Sequence, residues 1–163
     1  MEDDDDFNFN FDDLSQEEKD EIEKEQKEQN KKLRNSPVFK KAMEVLKTTS
    51  ALVESLSDED KEFYERTLME SAYTLAPKIA GVMGSESWIL SMQNASIIRY
   101  HAEYLLTSTS GLRIFTKAEK DYVQVLRTEV EEFRELFKEW VQTFKKLEQE
   151  EYVDEWGLFL REQ

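Results

Sequence analysis

Between residues 36 and 146, apolar side chains recur at intervals of three and four, the period that lines one side of an α-helix. Four segments carry this pattern. The first opens at Asn35-Ser36-Pro37, where Ser36 is a capping residue type and Pro37 suits the first helical position; Phe39, Ala42, Leu46, Val53 and Leu56 then share a face. The second starts at Ser57, with Asp60 at capping-box spacing, and carries Tyr64, Leu68, Ala72, Leu75, Ile79 and Val82 to a stop near Gly84. The third runs from about Ser87 through Trp88, Ala95, Ile98, Ala102 and Leu105, and Ser110-Gly111 reads as its end. Thr116 and Glu119 give another capping-box spacing ahead of the fourth, which bears Tyr122, Leu126, Phe133, Phe137, Trp140, Phe144 and Leu147. Continued to Glu151, that helix would be about 54 Å long, so its last turns are expected to protrude beyond its neighbours.

Residues 15–34 follow a different pattern. Ser15 and Glu18 have capping-box spacing, and Asp20/Lys24, Glu23/Lys27 and Glu28/Lys32 are i,i+4 pairs, each contributing about 0.3 kcal/mol to a helix. Only Ile22 and Leu33 are apolar, so this segment is expected to be a solvated helix that leads into the core. Short connections between long helices force antiparallel neighbours. The expected fold is therefore all-α: an up-down-up-down four-helix bundle over residues 36–146, with a charged N-terminal helix over 15–35 and acidic, aromatic-bearing tails at 1–14 and 147–163. Pro77 lies inside the second helix and removes an amide donor there; it implies either a bend around the core or a notch lined by Ala76, Ala80 and Gly81.

The net charge of -15 is unevenly distributed along the 163 residues. Residues 1–35 carry -8, residues 36–146 carry -2 and residues 147–163 carry -5. A near-neutral body with acidic ends is poorly suited to nucleic acid, whose phosphates are held by clustered Lys and Arg. The chain has no cysteine, no apolar run of the roughly 20 residues a membrane span requires, and an acidic start where a signal peptide would be basic. The expected setting is cytoplasmic, without membrane attachment.

Pro-x-Ile-Ala-x-x-x-Gly at Pro77–Gly84, followed by QNASIIRYHAEYLL on the third helix, resembles the four-helix-bundle proteins encoded by intervening sequences of 23S ribosomal RNA genes and the related accessory proteins of diversity-generating retroelements. The resemblance covers about residues 38–146. It implies a bundle that assembles into rings, commonly pentamers, and, in the retroelement case, a basic surface for nucleic acid. Here Gly84-Ser85-Glu86-Ser87 stands where that family places basic residues, which with the body charge argues against a nucleic-acid role.

Candidate chemistry is sparse. His101 is the only histidine, and Arg99, two residues away, points to a different side of the helix, so the pair does not converge as a helical nuclease site requires. Glu129-x-x-Glu132 followed by Glu151-x-x-Asp154 resembles the magnesium site of all-helical nucleotide pyrophosphohydrolases, although both halves fall along one predicted rod. No cofactor motif is present. The tails are the more informative feature: Phe7, Phe9 and Phe11 alternate among acids and asparagines, and Tyr152, Trp156 and Phe159 stand among acids at the other end. Such composition suits segments that dock into a partner's grooves, or that fold back onto their own bundle. The expected function is a non-enzymatic, self-associating interaction protein that binds protein partners through these six aromatic residues.

Overall fold

The computed structural model describes residues 14–147. These residues form five α-helices: α1 (Gln16–Asn35), α2 (Pro37–Ser55), α3 (Asp58–Val82), α4 (Trp88–Phe115) and α5 (Lys120–Gln142). A 3₁₀ turn, Thr143–Lys146, follows α5. Helix α2 packs against α3 and α5, and α4 packs against the same two, which closes a cycle around one core; α1 packs on α2.

Core formation follows the apolar stripes. Leu68, Ala72, Leu75, Ile79 and Val82 of α3 are buried as their spacing predicts, as are Ala95, Ile98, Ala102 and Leu105 of α4. On α2 the buried line is Val38, Ala42, Val45, Leu52 and Val53, while Phe39 and Leu46 are only half-buried. Thr49 also lies in this core, and its hydroxyl donates to the Val45 carbonyl at 2.7 Å, so that group is not stranded.

The helix ends depart from expectation in four places, each for a local reason. Ser36 makes no side-chain cap, although Pro37 does occupy the first turn. At α3, Ser57 accepts from the Asp60 amide, but Asp60 is one methylene shorter than Glu, and its carboxylate takes the Ser57 hydroxyl at 2.9 Å rather than closing the box. Helix α4 does not stop at Gly111; burial of Leu112 carries it on to Phe115. Thr116 then ends it, donating to the Leu112 carbonyl at 2.6 Å, and so is not available to cap α5. By contrast, the Ser15–Glu18 box forms in full, and the Ser15 hydroxyl and amide hold the Glu18 carboxyl below its ordinary range.

Pro77 sits on the exposed side of α3, which runs unbroken past it. Gly81, one turn on, meets open space rather than the walls of a notch. Gly84, at φ +88°, turns the chain after α3 in the left-handed region that favours glycine, with the Gln29 side chain of α1 beside it.

Helix α5 is shorter than its sequence predicts. It gives way to the 3₁₀ turn at Thr143, whose tighter winding brings Phe144 onto Val82 and Ala95 at the end of the core. Phe144 is 3% exposed, so this turn closes the core; residues 148–151 of the expected helix lie outside the described residues. Phe137, Trp140 and Phe144 form a continuous ladder, with ring centroids 5.9 and 4.8 Å apart. Replacing Phe144 with Ala is expected to cost about 3 kcal/mol in urea unfolding, the scale for a buried aromatic. A cost near zero would mean that this turn does not seal the core.

Candidate interaction surfaces

A groove of about 320 Å³ runs between α4 and α5. Ala102 and Leu106 from α4, with Val130, Phe133 and Phe137 from α5, make its floor and walls. The small Ala102 side chain opposite two phenylalanines leaves the space. Charged residues form the rim: Arg99 pairs with Glu103 at 3.1 Å, while Lys138 and Arg134 lie 2.8 and 3.8 Å from Glu135.

Helices α3 and α4 carry most of the exposed apolar side chains. Of the ten exposed large apolar side chains among the described residues, seven lie on these two helices: Phe63, Tyr73, Leu90, Ile97, Tyr100, Ile114 and Phe115. Phe63 and Phe115 are the most open, at 79% and 77%. Leu90 and Ile97 are one heptad apart, so they repeat along one side of α4 away from its buried stripe. Apolar positions on two sides of α4 are the signal by which the sequence could have disclosed this face.

His101 belongs to the seam between these helices. Its Nδ1 is 3.1 Å from the Ser71 hydroxyl, and its ring meets the edge of Tyr100 at 5.2 Å. One turn along, the Tyr104 hydroxyl donates to Thr67 at 2.8 Å. Arg99 turns instead to Glu103 at the α5 side, so the two basic residues diverge as their spacing requires. This arrangement joins two helices, and the hydroxyl it brings to the imidazole, that of Ser71, is buried between them at 4% exposure.

A third depression, of about 480 Å³, lies between α2 and α5 and holds Glu129 and Glu132. Glu132 is engaged by Lys41 at 2.7 Å, and one buried oxygen of Glu129 has no hydrogen-bond partner. Among the described residues no three metal-ligating side chains come together. Glu151 and Asp154, the other half of the proposed magnesium set, lie outside the described residues, as do Phe7, Phe9, Phe11, Tyr152, Trp156 and Phe159. No helix of the described residues is long and apolar enough to cross a membrane. Comparison with protein-family models, curated proteins and solved structures finds no match for the chain.

Lys41 gives this region a pH signature. Hydrogen bonds from its ammonium to Glu132 and then Glu44 raise its pKa above the ordinary 10.5. A raised lysine contributes stability that is fully present below 10.5 and is lost as pH climbs through the folded value. The carboxylates are about half exposed, so solvent screening keeps the contribution to about 1 kcal/mol. Lys41→Met is expected to flatten the alkaline limb of the stability profile measured by urea unfolding. An unchanged slope above the ordinary lysine value would refute the linkage.

Proposed function

We propose that this protein is a non-enzymatic interaction module: a four-helix bundle in which α2 to α5 run up-down-up-down, and which associates with itself and with other proteins. The exposed Leu90, Ile97 and Tyr100, spaced by seven and three residues along one side of α4, carry this reading, because apolar side chains grouped on an exposed helix side are characteristic of a binding face. Tyr100, Phe63 and Phe115 supply the aromatic anchors that dominate such contacts. Resemblance to the ring-forming bundles of ribosomal intervening sequences supports self-association as the first use of that face. The acidic aromatic ends then serve as docking elements for protein partners, with Phe7, Phe9 and Phe11 on one side of an extended strand.

In light scattering, the full chain is expected at a multiple of its 19.4 kDa mass. Ile97→Glu combined with Tyr100→Glu is expected to return it to the single-chain mass with its helical circular dichroism intact. A wild-type chain that remains monomeric at every concentration tested removes self-association from this reading.

The docking role of the N-terminal phenylalanines is tested separately. Serine at Phe7, Phe9 and Phe11 is expected to weaken capture of the protein partners that the wild-type chain retains. Equal retention by both chains would eliminate that role.

A further inference from the structure

The α4–α5 groove combines an apolar floor with a rim on which three cations, Arg99, Arg134 and Lys138, share two carboxylates, Glu103 and Glu135. Excess positive charge around an apolar trough is notable in a chain whose net charge is -15. The ligand that suits it is an aromatic segment flanked by acids.

We propose that this groove is the docking site for the chain's own residues 151–163, EYVDEWGLFLREQ, bound in cis. Tyr152, Trp156 and Phe159 would cover the floor, and Glu151, Asp154 and Glu155 would meet the rim cations. Three features support this assignment. First, the aromatic residues fall at i, i+4 and i+7, the anchor spacing of a helix laid into a groove. Second, the α4 wall from Arg99 to Leu106 is about 10 Å long at 1.5 Å per residue, the same rise that separates positions 152 and 159 on a helix.

Third, the tether favours this segment over the other acidic aromatic one. Leu147, the last described residue, packs on the Val82, Ala95 and Phe144 cluster at the end of the core, against which Phe137, a wall of the groove, also packs. Residues 148–151 span up to about 14 Å when extended, enough for Tyr152 to enter from that end. A linker this short gives an effective concentration on the order of millimolar, so modest affinity is sufficient. Phe7, Phe9 and Phe11 instead precede α1, which packs on α2, a helix that does not border the groove. A protein partner that uses Tyr152, Trp156 or Phe159, or the groove itself, must then displace an intramolecular ligand. This docking does not depend on self-association through α3 and α4.

The chain contains no cysteine, which permits a direct test in the full-length protein. Ser110→Cys, one turn beyond Leu106, is paired with Arg161→Cys; in the control, Met43→Cys on α2 replaces Ser110→Cys. In dilute solution under a thiol redox buffer, the groove pair is expected to form an intramolecular disulfide about tenfold faster than the control, the advantage of a localised over a freely sampling end. Arg134→Glu with Lys138→Glu, both at exposed positions, is expected to slow that reaction several-fold, as is Trp156→Ser. Equal rates for the two cysteine pairs would overturn the proposal, as would a groove-pair rate indifferent to charge reversal. Disulfides that form only between chains would assign the groove to a second copy and overturn docking in cis.

Discussion

Burial of the line Ile98, Ala102, Leu105, Thr109 and Leu112 along α4 is the constraint on which most other features depend. Each large member contributes roughly 1.5 to 3 kcal/mol on leaving water, which exceeds the cost of about 1 kcal/mol for a glycine in a helix. That balance carries α4 through Gly111. It also fixes the helix rotation, and with it the placement of every polar side chain around the axis. His101 and Tyr104 are turned to α3, Arg99 and Glu103 are turned to α5, and Tyr100 is left outward.

The end of the core reached by α5 is closed by geometry rather than by length. A change from α to 3₁₀ winding at Thr143 directs Phe144 inward, and the ring then covers Val82 and Ala95, which would otherwise face water. Gly84 performs the matching task for α3, reversing the chain within a few residues so that α4 can begin at Trp88.

Much of the fold was legible in the sequence, because the stripes of α3 and α4 are single lines of apolar residues with one possible inward rotation. The stripe of α2 was not, since Val38/Phe39 and Val45/Leu46 are adjacent apolar pairs and only packing against α3 and α5 selects the inner member. Capping signals failed where a neighbour had a competing use for the same group, as with the Thr116 hydroxyl and the short Asp60 side chain. The surface was least legible. Lys41 and Glu132 are 91 positions apart, and the groove exists because Ala102 is small where two phenylalanines from another helix pass it. Neither follows from periodicity along one segment.

Helix α1 has no buried residue and is held mainly by its C-terminal portion, where Leu33 meets the core and Gln29 lies beside Gly84. Its twenty residues make a rod about 30 Å long, stiffened at its far end by the Ser15–Glu18 cap. Under the docking role proposed for Phe7, Phe9 and Phe11, α1 would act as a spacer of up to about 30 Å between a captured partner and the point where Leu33 meets the core.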